Sequence, residues 1–108
     1  DSHVDIYNTA YPLFEGNGST GGLYYTDGCG NSVTFKMSTA MYIFNSYHVD
    51  LLAPGPYHVP DYLTWPEVKE MWEHNWGVEN HGISDPVTGH ADYDIRRTQS
   101  YAKRKVND

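Results

Sequence analysis

Cysteine is almost missing from this sequence: Cys29 is the only one among 108 residues. An intrachain disulfide is therefore excluded, and thiols leave the redox compartment unread. Cys29 lies between Gly28 and Gly30 in a turn, with no dedicated base near it in the sequence, which fits an incidental thiol better than a nucleophile. Basic residues are also scarce. Seven Lys and Arg stand against 14 Asp and Glu, a formal net charge of -7. So acidic a chain is a poor partner for nucleic acid, whose affinity comes mainly from neutralising phosphates with Lys and Arg. Five of the seven bases, Arg96, Arg97, Lys103, Arg104 and Lys105, gather near the C-terminus, where they read as the polar face and basic end of a helix. Long apolar runs are absent too: nothing approaches the roughly 20 residues that a membrane-spanning helix requires. The start, Asp1-Ser2-His3, has neither the basic nor the apolar region of a signal peptide. A mature secreted chain shares that property, so it does not assign the chain to the cytosol.

Aromatic side chains, by contrast, are abundant. Ten Tyr, three Trp and three Phe, within a hydrophobic share of 39%, describe a folded chain rather than a disordered tail. A length of 108 residues predicts one domain with a modest core. No internal repeat or low-complexity segment interrupts it.

Along the chain, Ile6, Ala10, Leu13 and Phe14 recur at helical spacing behind Asp5, a candidate N-cap, while Pro12 requires a kink or a helix start nearby. Residues 15–22 are a Gly/Ser/Asn connector. The stretch LYYTDGCGNSVTFKM, residues 23–37, reads as a β-hairpin turning at Asp27-Gly28 and Gly30-Asn31. Tyr42, Ile43 and Phe44 favour a strand over residues 39–44. Pro54, Gly55, Pro56 and Pro60 make residues 47–61 a loop. The clearest helix follows. Thr64 and Glu67 form a capping box, Pro66 is tolerated in the first turn, Val68, Met71 and Trp72 supply a buried stripe, and Gly77 stops the helix. A short strand over residues 78–81, a turn-rich loop over 83–89 and a last helix from about Asp92 to about Lys105 complete the pattern, which is that of part of an α/β unit.

The stretch WGVENHGISDPVTGH, residues 76–90, concentrates the candidate chemistry. His81 ends a strand, where α/β folds gather their functional groups, and Asp85 and His90 follow in the loop. Histidine nitrogen and carboxylate oxygen are the donors that zinc hydrolases use. Taken by itself, a His/Asp/His set in a chain with six His is a weak signal. The ordinary alternatives are an Asp85-Pro86 turn and a solvated His90.

The segment YLTWPEVKEMWEHNWGVENHG, residues 62–82, resembles the stretch leading into the second motif of the polysaccharide deacetylase family of carbohydrate esterases. In that family an LTW opening precedes a helix, a glycine turn follows, and a strand ends in a metal-binding His within NH or SH. The N-terminal DSHVDIYNTAYPLF is similar to the same family's first motif and its continuation, matching at Asp1, Tyr7, Ala10, Pro12 and Leu13. The match puts Asp1 on the second, metal-binding aspartate, and the family's general base one residue ahead of it. Tyr25-Thr26-Asp27-Gly28 imitates the first motif as well, but with Thr26 in place of the base and a hairpin turn that already accounts for Asp27-Gly28, so Asp1 is preferred.

The chain departs from the family in several places. Its second motif is His, three residues, His, whereas here the fourth residue after His81 is Asp85; His90 takes the role if the loop carries an insertion. No Arg-Pro-Pro segment and no later catalytic His appear, and a complete barrel needs about 250 residues. The resemblance covers most of residues 1–15 and 62–105, which leaves residues 20–38 or so as an inserted hairpin. It implies an α/β fold forming part of a distorted (β/α) barrel of polysaccharide-deacetylase type, the remainder coming from another segment or chain. The activity implied is metal-dependent hydrolysis of N- or O-acetyl groups on a polysaccharide or oligosaccharide. The cofactor implied is a divalent metal, zinc by its donors, held by Asp1, His81 and either Asp85 or His90, with base and acid outside these 108 residues. An extracytoplasmic setting, periplasmic, cell-surface or secreted, accompanies it. Tyr24, Tyr25 and Trp65 are candidate platforms for sugar rings, weighed against ordinary packing in strands and helices. Two other readings stand beside this one: a non-catalytic carbohydrate-binding or structural domain on the same fold, and a surface protein in which His81 is a satisfied core histidine.

Overall fold

Pro12 sets the shape of the first element. It has no N–H with which to continue an α-helical ladder, and its ring would strike the carbonyl one turn earlier, so the preceding turn widens. The result, in a computed structural model that describes residues 2–16, 21–45, 47–81 and 91–107, is a π-helical turn at Ile6–Ala10 leading into helix α1, Tyr11–Glu15. The Tyr11 N–H donates to the Ile6 carbonyl, five residues back. Asp5, expected as the N-cap, makes no side-chain capping bond there; the helical path has already begun at that residue.

Strands β1 (Tyr24–Thr26) and β2 (Ser32–Thr34) form the expected antiparallel hairpin, with Tyr25 opposite Val33. The turn is held by Asp27, whose Oδ1 accepts the N–H groups of Cys29 and Asn31, both at 2.9 Å. The hairpin docks on α1 through Leu23, which donates its N–H to the Phe14 carbonyl, and through Glu15, which pairs with Lys36 and accepts from Thr34.

A second, parallel pair positions the candidate site. Strand β3 (Ser38–Met41) lies beside β4 (Gly77–Asn80), with Ser38 opposite Gly77 and Met41 opposite Asn80. Parallel neighbours need a crossover, and helix α2 (Trp65–Glu73) is its regular part. The capping box forms: Glu67 Oε1 accepts from both the backbone N–H and the hydroxyl of Thr64. The buried stripe is Trp65, Val68 and Met71, not Val68, Met71 and Trp72. Trp72 lies a heptad after Trp65, on nearly the same side of the helix, but at the C-terminal end of α2 it is left 44% exposed.

Gly77 does not stop the helix. The turn out of α2 is made by His74 and by Asn75, which takes a positive φ of 66°. Gly77 opens β4, where an added Cβ would lie 2.6 Å from the Ser38 Cβ. The glycine is required by the close approach of two strands. We expect Gly77→Ala to cost about 2 kcal/mol through overpacking, read as a lower urea midpoint at unchanged slope. In combination with Ser38→Gly the loss should be less than the two single losses added together; strict additivity would reject the clash.

Residues 47–61 form no strand beyond an isolated bridge between Phe44 and Asp50, as a loop with three prolines should. The loop nevertheless enters the core, contributing Leu51 and Leu52 beside Met41, Ile43, Leu63, Val68, Met71 and Trp76. Helix α3 (Ala91–Asn107) packs on α2 and β4 and buries Thr98 and Val106. Among the described residues no helix is long and apolar enough to cross a membrane.

Candidate functional site

The C-terminal ends of β3 and β4 carry the site. His81 follows Asn80 directly, and its backbone N–H donates to the Met41 carbonyl at 3.1 Å, so the parallel ladder extends to the base of this histidine. Its side chain is exposed, and its ring meets the Tyr42 ring edge-on, with centroids 5.7 Å apart and planes at 89°. Tyr42 is the first residue after β3.

Tyr42 also holds the N-terminal segment. Ser2 is fully buried; its hydroxyl accepts the Tyr42 N–H at 2.6 Å and donates to the Tyr42 carbonyl at 3.0 Å. The Ser2 carbonyl accepts the Leu63 N–H, and Val4 donates to the Asp61 carbonyl, with a bridge between His3 and Tyr62. Residues 2–4 therefore run beside residues 61–63, directly ahead of α2. The residue following Asp1 is thus fixed on the backbone of Tyr42, whose ring abuts His81. Asn80 donates its side-chain amide to the Ile95 carbonyl at 2.9 Å, which ties the end of β4 to α3.

Of the four expected metal ligands, His81 lies where the sequence places it, at the end of a strand. Asp1, Asp85 and His90 lie outside the described residues. Among the described residues no group of three or more His, Cys, Asp or Glu is placed to hold a metal ion. Of the four expected ligands they supply one, the exposed imidazole of His81, chemically suited to zinc but not a complete set of donors.

The expected aromatic platforms divide. Tyr24 and Tyr25 stand 52% and 45% exposed on the hairpin, with Tyr25 packed against Phe35 at 5.0 Å. Trp65 is a core residue instead. It is 7% exposed, its ring packs on Tyr101, and its indole N–H donates to Asp50 at 2.8 Å, leaving no face for a sugar. As the first residue of α2 it belongs to the same inward face as Val68 and Met71.

Sequence reasoning did not single out Ser2, whose role depends on a partner 40 positions away. Nor did it find the groove of about 510 Å³ lined by Tyr7, Tyr11, Glu15, Glu70 and His74. The four-residue spacing of Tyr7 and Tyr11 on one helical face was the available signal.

Compared with protein-family models, with curated proteins and with solved structures, the chain matches none.

Proposed function

We propose that this chain is part of a metal-dependent hydrolase that removes N- or O-acetyl groups from a polysaccharide, on a partial (β/α) barrel of polysaccharide-deacetylase type acting outside the cytoplasm. One observation carries the reading. Ser2 and His81, 79 positions apart in the sequence, meet on Tyr42 at the C-terminal end of a parallel strand pair, the position where α/β folds place their chemistry. Asp1, joined to Ser2, and Asp85 or His90, which follow His81 in the sequence, are the further ligands in this proposal.

His81 presents its imidazole from a strand end whose backbone is hydrogen-bonded on β3, and the Tyr42 ring packs against it at right angles. The tie from Asn80 to Ile95 holds the end of β4 against α3. A divalent cation bound there would polarise an acyl carbonyl and acidify a water molecule. The test is elemental analysis of protein purified without chelator, set beside His81→Ala. We expect near-stoichiometric zinc or another divalent metal that is lost in the variant, with far-UV circular dichroism unchanged because His81 is exposed. Equal metal content in both proteins, or none in either, would remove this reading.

The exposed hairpin aromatics Tyr24 and Tyr25 favour a second reading, a carbohydrate-binding domain without catalysis. Glycan binding that is insensitive to chelator and lost in Tyr24→Ala, together with no acetyl release, distinguishes it.

A further inference from the structure

The groove beside α1 has a chemistry of its own, away from His81. Tyr7 and Tyr11 are stacked, with ring centroids 5.5 Å apart and planes 15° from parallel. Tyr11 in turn meets His74 and Trp76 edge-on, at 5.8 and 5.3 Å. The wall is therefore a braced aromatic surface. Glu70 stands opposite on α2, facing Tyr7. His74 Nδ1 lies 2.9 Å from the Glu70 carbonyl oxygen, which can only accept, so Nδ1 donates.

Charge selects the ligand. None of the lining residues is Lys or Arg. Lys36 is engaged by Glu15, and among the described residues Glu70 has no ion-pair partner. A carboxylate has about four acceptor positions, and one phenol leaves most of them open. The volume falls within the ~300–1,000 Å³ typical of small-molecule sites. An aromatic wall facing a carboxylate fits a cation attached to an apolar ring face.

We propose that this groove binds a protonated amino-sugar residue, its ammonium group on Glu70 and its ring against the Tyr7–Tyr11 wall. The tyrosines report the same negative surroundings. The hydrogen bond to Glu70, then burial, raises the pKa of Tyr7. Burial, then the charges of Glu70 and Glu15, pushes Tyr11 up to about 12. The inference is independent of the metal reading, because the groove uses none of the residues proposed there.

The test is a titration of the isotopically labelled full chain, in chelator, followed by two-dimensional amide NMR. The probes are a β-1,4-linked glucosamine trimer, its fully N-acetylated counterpart and cadaverine. We expect the glucosamine trimer to shift the amides of Asn8, Tyr11 and His74, and to bind about tenfold or more tightly than either other probe. Glu70→Gln should weaken that binding by about tenfold or more. Asn8→Lys, at an exposed rim position, should do the same by repulsion. Equal binding of the N-acetylated trimer or of cadaverine, binding unchanged in both variants, or no shifts at the groove would each overturn the proposal.

Discussion

Asp50→Ala should lower the unfolding free energy by about 4 kcal/mol, a large part of the ~5–15 kcal/mol available to a domain of this size. Asp50 spends its whole carboxylate internally. Oδ1 accepts the N–H groups of Leu52 and Ala53 at 2.8 and 3.1 Å, which shapes the loop. Oδ2 accepts the Trp65 indole N–H at 2.8 Å and the Tyr101 hydroxyl at 2.6 Å, which joins that loop to α2 and α3. Bonds to a charged acceptor contribute about 1.5–3 kcal/mol each, and a buried donor left unpaired costs about 1–3 kcal/mol. Bonds sharing one carboxylate are not additive, which sets the total well below their sum. Burial, then the Asp50 hydrogen bond, pushes Tyr101 up to about 12, as expected for a phenol committed to this contact. Asp50→Asn keeps one acceptor oxygen and should lose about half as much. Thermal melting followed by circular dichroism reads both; at several degrees per kcal/mol, Asp50→Ala should fall by about 20 °C. A change of only a degree or two would mean that the carboxylate is a surface ornament.

Trp76→Ala should cost a similar amount, about 3–5 kcal/mol, the usual range for removing a buried large aromatic. Trp76 is 2% exposed and packs against Tyr11 and Phe14, so it holds α1 onto the strand pair. Its indole N–H donates to Glu15 at 2.7 Å. That bond gives the variant a second signature. Burial acts to raise the pKa of Glu15, but Lys36, Trp76 and Thr34 outweigh it and hold the carboxyl below its ordinary value of 4.5. A lowered carboxyl pKa stabilises the fold above the unfolded value, and that contribution is lost as pH falls through the folded value. The native protein should therefore lose stability below about pH 4.5, and Trp76→Ala should show a shallower loss over the same window. Urea midpoints across an acid pH series measure both effects. An acid slope as steep in the variant as in the native chain would show that the indole does not hold the carboxylate ionised.

Much of the secondary structure was legible because its causes are local. The hairpin follows from Asp27-Gly28 between alternating strands, and the start of α2 from Thr64, Pro66 and Glu67 within four residues of each other. The last helix and the strand ending at His81 follow from short-range pattern as well. Pro12 announced an irregularity, and the π turn is the form it took. Trp72 and Gly77 were misjudged for one reason. Apolarity does not say which of two tryptophans a heptad apart the rest of the chain covers, and a glycine after a helix can serve a cap or a tight crossing equally well.

For the site, sequence alone determined that His81 stands at a strand end and that the chain carries many aromatics and few cations. Tertiary structure decided what these residues meet. It brought Ser2 to Tyr42 across 40 positions, Trp65 and Tyr101 to Asp50 across 15 and 51, and Trp76 to Glu15 across 61. It also set Glu70 and His74 opposite the Tyr7–Tyr11 wall. Caps, turns and periodicities are settled within a few residues by backbone geometry. Contacts across tens of residues depend on how β3, α2 and β4 cross, and no local preference contains that crossing.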